Sequence, residues 1–361
     1  MAYTTIDLPT DYFNTTLYTG TASNNITLTM DNIGFLWIKR RNATGGHVIF
    51  DSVRGGHYTG SGAKPVLITN VTSAAQGTDI DSATKGINFG STSTVIGSDS
   101  QGYNYNTSGG SYVAWHWAGG GSASSNSDGS ITSTVSANQT SGFSVVTTTG
   151  TGSNATIGHG LGAAPAMIIG KRRDSGSSQW RVYHKNLSSA SHILFLDTNG
   201  TEQSGNSATW NNTAPTSSVF SVGTSGDVNA SSGTFIFYCF AEKKGFSKAF
   251  SYTGNGNSDG VYIHLGMKPA WIMVKRTDVA NQWMIIDNKR TPSNTGTVPE
   301  LFADLSDAEN NSTDGRFDYL SNGLKARGTN AVINASGGSY IGFAFAESPF
   351  VTSTGIPTTA R

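Results

Sequence analysis

Three kinds of residue in this chain have the chemical reach to act on a ligand: its carboxylates, its histidines and a recurring lysine–arginine pair. Cleaving a glycosidic bond needs two carboxyl groups about 5–9.5 Å apart across it. Two acids repeat along the sequence as candidates. Glu242 and Glu347 recur in Phe240-Ala241-Glu242 and Phe345-Ala346-Glu347, and Asp51 and Asp287 recur at equivalent strand ends. Neither set reaches three copies, because Gly119 and His184 hold the third positions. Isolated acids at strand ends are expected to form turns or stay solvated, so no catalytic residue is assigned and the chain reads as a non-enzyme. The histidines are His47, His57, His116, His159, His184, His192 and His264. They show no HExxH spacing and have no paired cysteines, so neither a metal site nor a cofactor is expected. His159 and His264 recur just ahead of a proline and are expected to hydrogen-bond loop backbone. The glycines between Gly152 and Gly162 lack the Gly-Lys-Ser/Thr ending and the following helix of a phosphate cradle, and no Gly-x-Ser-x-Gly elbow sits between a strand and a helix.

The basic pairs Lys39-Arg40, Lys171-Arg172 and Lys275-Arg276 allow two readings. In one, they are three copies of a basic spot for an acidic glycan or a partner surface, with Trp180 and Trp283 close across the following turn and placed to stack on a sugar face. In the other, a buried strand leaves the core there and its next residues are solvated, with charge protecting the edge from pairing. The candidate ligand or partner contacts are therefore Lys39, Arg40, Lys171, Arg172, Trp180, Lys275, Arg276 and Trp283.

These pairs belong to a larger repeat. Phe35-Leu36-Trp37-Ile38-Lys39-Arg40-Arg41-Asn42 aligns with Met167-Ile168-Ile169-Gly170-Lys171-Arg172-Arg173-Asp174 and with Trp271-Ile272-Met273-Val274-Lys275-Arg276-Thr277-Asp278. A closing block recurs downstream as Ser108 to Trp117, Ser231 to Phe240 and Ser336 to Phe345, each with an asparagine two residues earlier, at Asn106, Asn229 and Asn334. Units two and three keep both blocks in phase over a period of roughly 100 residues, far above the ~20–50 of solenoid repeats. The repeat therefore predicts tandem domains, each with its own small core. Unit one is longer and is the divergent copy.

Short runs of Val, Ile, Phe, Tyr and Trp bounded by Gly, Ser and Asn read as strands, whereas helical apolar spacing hardly accumulates. The one helical turn expected lies at Leu301 to Asn310. Strand starts are placed after Pro165 and Pro269, since proline suits the start of a strand better than its interior. Hairpin loops are placed at Asn42 to Gly46, Asp174 to Gln179 and Asp278 to Gln282. Alternation puts Val113, Trp115 and Trp117, Ile236, Tyr238 and Phe240, and Ile341, Phe343 and Phe345 on one face of the closing strands. That bulky face is expected to be the core of each sandwich. The fold class is thus all-β, three tandem antiparallel β-sandwich domains of jelly-roll or lectin-like type. The boundaries are 1–120 for the divergent first domain, 121–141 for a Gly/Ser-rich linker that takes in one strand at Ser130 to Val135, 142–246 for the second domain, and 247–361 for the third with a mobile polar tail.

Composition sets limits on function. Of 361 residues 45 are Gly and 13% are charged, while 36% are hydrophobic and 10% aromatic, which argues for a folded chain. Lys plus Arg and Asp plus Glu are 23 each, so no net field draws the protein to nucleic acid. The single cysteine, Cys239, excludes an intrachain disulfide. Met1 to Asp7 lacks the pattern of a secretory signal, and no run of ~20 apolar residues spans a membrane. A soluble product made in a cytoplasm is expected, with no membrane insertion.

Phe35 to Arg41, His159-Gly160-Leu161-Gly162-Ala163-Ala164-Pro165, Trp210-Asn211-Asn212-Thr213-Ala214-Pro215 and Ile333-Asn334-Ala335-Ser336-Gly337-Gly338-Ser339-Tyr340 together resemble a family of virion structural or tail proteins of tailed, mainly marine, bacteriophages. The resemblance covers nearly the whole chain and carries no catalytic residues over. It implies a particle component assembled in the host cytoplasm, with other virion proteins as partners, a host surface glycan as a further one, and homo-oligomers with a trimer favoured. The leading expectation is a tail fibre or related tail protein for host adsorption, or a structural adaptor. The alternatives are a head-decorating protein that binds the capsid and a glycan-degrading tailspike.

Overall fold

The computed structural model describes residues 2–56, 65–77, 84–290, 294, 296–312 and 317–358. His57, the first residue and the last three of the tail lie outside these.

The repeated blocks become the strands of three main antiparallel sheets built to one plan. In each, a closing strand (Ser111–Ala118, Thr234–Ala241 or Ser339–Pro349) lies between an opening strand (Phe13–Thr19, Phe143–Thr149 or Ser247–Thr253) and a lysine strand (Ile33–Arg40, Pro165–Arg172 or Met267–Arg276). A return strand (Val48–Asp51, Arg181–His184 or Met284–Asp287) follows across the expected hairpin loop. The register is the same in all three, with Lys39 opposite Val113, Lys171 opposite Ile236 and Lys275 opposite Ile341. A smaller sheet completes each sandwich: Ile26–Thr29 with Ser93–Ile96 and Ile87–Phe89, Ala155–Gly158 with Val219–Val222, and Asp259–His264 with Gly323–Arg327 and Phe317–Leu320. The fold is all-β, with several antiparallel sheets forming three sandwiches.

Local chemistry explains the details that differ from the sequence reading. Every lysine strand has a register irregularity at one place, near Gly34, Ala166 or Pro269. Pro165 opens its strand, but Pro269 sits inside one, because a bulge leaves a position whose missing N–H costs no ladder bond. Unit one has no such proline and uses Gly34, where a Cβ would lie 2.5 Å from Gly119 Cα. The turn before each closing strand requires a left-handed residue, supplied by Gly109 (φ 72°), Ser232 (φ 60°) and Gly337 (φ 73°). Residues 121–141 do not form a linker. They carry two strands, Ser124–Asn126 and Ser133–Asn138, that extend the second sheet beyond its opening strand. Leu301 to Asn310 is not helical either, since it begins in the strand Val298–Phe302 and ends in Asn310–Ser312. The single α-helical turns lie at Ser207–Trp210 and Gly226–Asn229. The tail folds back, with Ser353 N–H and Oγ–H donating to the two Asp7 carboxylate oxygens at 2.7 and 2.5 Å.

The largest difference concerns the bulky face. Leu36, Ile38, Tyr112, Ala114 and Ala118 line the interior of the first sandwich, and Phe235, Phe237, Cys239 and Ala241 that of the second. Val113, Trp115, Trp117, Ile236, Tyr238, Phe240, Ile341, Phe343 and Phe345 instead meet in one cluster common to all three units. At its centre Trp117, Phe240 and Phe345, which hold equivalent positions, touch in a triangle with ring centroids 6.2, 6.0 and 5.5 Å apart. The chain is therefore a pseudo-trimer in which each main sheet is buried on both faces. This is why the lysine and closing strands read as almost uninterrupted apolar runs.

Candidate functional site

The candidate contact residues meet at three seams between units. Each lysine ends a strand beside the shared core, and Lys39, Lys171 and Lys275 are fully buried. Lys39 Nζ donates to Gly45 O at 2.8 Å and Arg40 O at 3.1 Å in its own unit, and to Ser306 O of unit three at 3.2 Å. Lys171 Nζ donates to Ser178 O and, at 2.8 Å, to Thr72 O of unit one. Lys275 Nζ donates to Arg276 O at 2.6 Å and to Asn199 O of unit two at 3.3 Å. The pattern is cyclic, one to three, two to one and three to two. Burial pushes all three lysines down to about 8, against the pull of nearby carboxylates such as Asp307, Asp197 and Asp304.

The other candidates follow the same geometry. Trp180 Nε1–H donates to Ile68 O of unit one at 3.0 Å, and Trp283 Nε1–H to Phe195 O of unit two at 2.7 Å. Both rings are buried and cannot stack on an external sugar. Unit one has His47 at this position, where it accepts from Trp37 Nε1–H at 2.9 Å. Arg40, Arg172 and Arg276 stay near the surface and brace the hairpin loop, on Asn42 at 3.2 Å, Asp174 at 2.9 Å and Asp278 at 2.9 Å. The lysines and tryptophans are thus contacts between units of one chain. The solvated basic edge of the second reading fits the arginines and not the lysines.

The repeated acids are engaged as well. Asp51 and Asp287 each hold an arginine three residues on, Arg54 and Arg290, at 2.6 Å. Each also accepts across a seam, Asp51 from Tyr238 Oη–H at 2.9 Å and Asp287 from Trp115 Nε1–H at 3.0 Å. His184 takes the third position and donates Nε2–H to Gly342 O at 3.1 Å. Glu242 and Glu347 pair with Lys185 and Lys268 at 2.5 and 2.9 Å. His159 contacts Thr216 O at 3.2 Å and accepts from Leu161 N–H at 3.2 Å, a loop-to-backbone role, whereas His264 meets the Tyr262 hydroxyl at 3.2 Å. Among the described residues no three His, Cys, Asp or Glu side chains converge as a metal site.

A third repeated segment escaped sequence reading: residues 66–76, 193–203 and 300–310 occupy equivalent places without a gap. Asn70, Asp197 and Asp304 each accept the backbone N–H of the residue that opens the return segment, His47, Trp180 or Trp283, at 2.9–3.1 Å. Five positions on, the segment crosses the seam: Ala75 N–H reaches Arg173 O, Glu202 N–H reaches Thr277 O and Glu309 N–H reaches Arg41 O, at 2.8–2.9 Å. The shared acid or amide at 70, 197 and 304 was the available signal, but turn-rich polar sequence hid it.

That crossing is where the threefold likeness breaks. In the seam between units three and one, Arg41 grips Glu309 with two hydrogen bonds of 2.8 and 2.9 Å. Between units one and two, Arg173 faces Ala75. Between units two and three, Glu202 faces Thr277, and a polar cleft of about 580 Å³ opens there. Its walls include His192, Tyr252, Asp278 and Tyr340. Glu202 Oε1 accepts from Ser188 N–H at 2.6 Å and lies 2.5 Å from His192 Nδ1. Tyr252 and Tyr340 stack with centroids 4.8 Å apart and planes at 9°.

Fold and seams together define a class, an all-β body in which one chain builds three sandwiches around a common aromatic hub. Residues 8–349, spanning all three units, match the family described as "Domain of unknown function (DUF7483)", and the chain belongs to that family. No curated protein and no solved structure matches it.

Proposed function

We propose that the chain is a non-enzymatic component of a tailed-phage particle, a tail fibre or related tail protein that serves host adsorption or adapts one virion part to another. The observation that carries this reading is the shared hub. Three sandwiches locked by aromatic packing and seam hydrogen bonds make a rigid body without disulfides, as a particle exposed outside the cell requires. The motif resemblance to virion structural proteins supports the same reading. So does the use of the recurring acids, which are spent on ion pairs and seam bonds rather than aimed across a gap. Its partners are other virion proteins and, for an adsorption role, a host surface glycan. One chain already presents a threefold-like face, and further copies multiply weak contacts by raising effective concentration.

Antibody labelling of the intact particle tests the assignment. Label on the tail is expected, and label on the capsid would replace it with a head-decorating role. Purified protein that adsorbs to host cells marks an adhesin, and protein that does not marks an adaptor. Release of oligosaccharide from host polysaccharide would turn the reading into a tailspike enzyme.

A further inference from the structure

The three seams repeat one another closely enough to show what the cleft between units two and three lacks. Arg41, Arg173 and Thr277 are equivalent: each donates its N–H to the first residue of a closing strand, Ser111, Thr234 or Ser339, at 2.7–2.9 Å. Glu309, Ala75 and Glu202 are equivalent by the cross-seam bonds described above. In one seam the guanidinium of Arg41 fills the space and, together with Arg290 of unit three at 3.1 Å, satisfies Glu309. In the seam of the cleft the carboxylate is kept and the guanidinium is missing, because a threonine replaces the arginine.

The cleft has the chemistry to receive that group from outside. Glu202 Oε1 is occupied by Ser188 and His192, and among the described residues none donates to Oε2. Glu202 is the lining carboxylate left to pair, since Asp278 is held by Arg276 at 2.9 and 3.0 Å, and no lysine or arginine is among the residues that line the cleft. The stacked pair Tyr252 and Tyr340 borders the same space, and this wall already holds a guanidinium, that of Arg276, 6.0 Å from the Tyr340 ring centroid. A charge-assisted, two-pronged pairing of guanidinium with carboxylate is the arrangement that the Arg41 seam already displays. We infer that the Glu202 cleft is a binding site for a guanidinium group, the arginine side chain of a partner polypeptide that completes the third seam as Arg41 completes its own. The inference is independent of where in a particle the chain resides.

The test is a titration of the full chain with Nα-acetyl-arginine methylamide, followed by NMR. The citrulline analogue, of like shape but uncharged, and glucosamine serve as the comparison probes. Saturable binding of the arginine probe is expected, weakened roughly tenfold or more in Glu202→Gln, since hydrogen bonds to charged groups carry at least that much. Thr277→Arg is expected to abolish binding and raise the melting temperature, with its own guanidinium on Glu202 in a crystal structure. The proposal is overturned if citrulline or glucosamine binds as well as arginine, if Glu202→Gln binds equally, or if the arginine probe does not bind. Glu202→Gln keeps the Oε1 acceptor for Ser188, so it decides the matter even if Thr277→Arg fails to fold.

Discussion

A buried lysine is costly unless its protons find acceptors, and here backbone carbonyls from two units supply three to Lys39 and two each to Lys171 and Lys275. The lysines therefore tie units together without a carboxylate partner, and the low pKa values follow from their burial. Buried histidines give a clearer pH signature. Desolvation holds His116 down at about 3 and His184 at about 4, and pushes His47 well below its usual range. The unfolded chain binds protons on these groups below about pH 6.5, while in the folded chain His116 and His184 stay neutral until about pH 3–4. More protons bound in the unfolded state means that stability falls as pH drops through this window and is fully present above it. Urea midpoints are expected to decrease from pH 7 to pH 4.5, and a His116→Gln, His184→Gln double variant should flatten that slope. An unchanged slope in the variant would show that other groups carry the acid sensitivity.

Within each unit the asparagine ahead of the closing strand acts as a staple between distant turns. Asn106, Asn229 and Asn334 are fully buried, and each accepts a backbone N–H from the opening turn, of Thr21, Thr151 or Asn255, at 2.8–2.9 Å. Their amide groups donate to two or more carbonyls, for Asn229 those of Ser153 at 2.6 Å and Gly223 at 2.9 Å. Asn229→Ala is expected to lower stability by about 2–4 kcal/mol, because several buried polar groups lose their partner at once. Asn229→Asp keeps the bond from Thr151 but turns a carboxylate oxygen toward two carbonyls, so it should be at least as damaging. Denaturation curves of the two variants test this, and an Asp variant as stable as the native chain would remove the donor role.

Across the whole molecule, the hub makes the three sandwiches interdependent. Trp117→Ala is expected to cost about 3–5 kcal/mol, the usual range for emptying a buried aromatic site. Because Trp117 touches Phe240 and Phe345, hydrogen exchange should rise in all three units and not only in the first. Residues 121–246, which include every strand of the second sheet, should not yield a stable monomer when expressed alone, since Ile236, Tyr238 and Phe240 would then face water. A soluble, cooperatively unfolding fragment of those residues would show that the shared core is dispensable.

Strand type, hairpin loops and the three-unit repeat were legible in the sequence because they depend on local alternation, turn residues and block spacing. The staple asparagines were visible for the same reason. The bulky face was visible too, but period-two alternation says only that nine large side chains share a face, not which surface covers them. Burial by the other two units, and with it the inward turn of Lys39, Lys171, Trp180, Lys275 and Trp283, depends on contacts between residues far apart in the chain. The cleft at Glu202 is more remote still from local sequence. It exists because Thr277 stands where Arg41 and Arg173 stand elsewhere, and that substitution acquires meaning only when the opposite segment of another unit is folded against it.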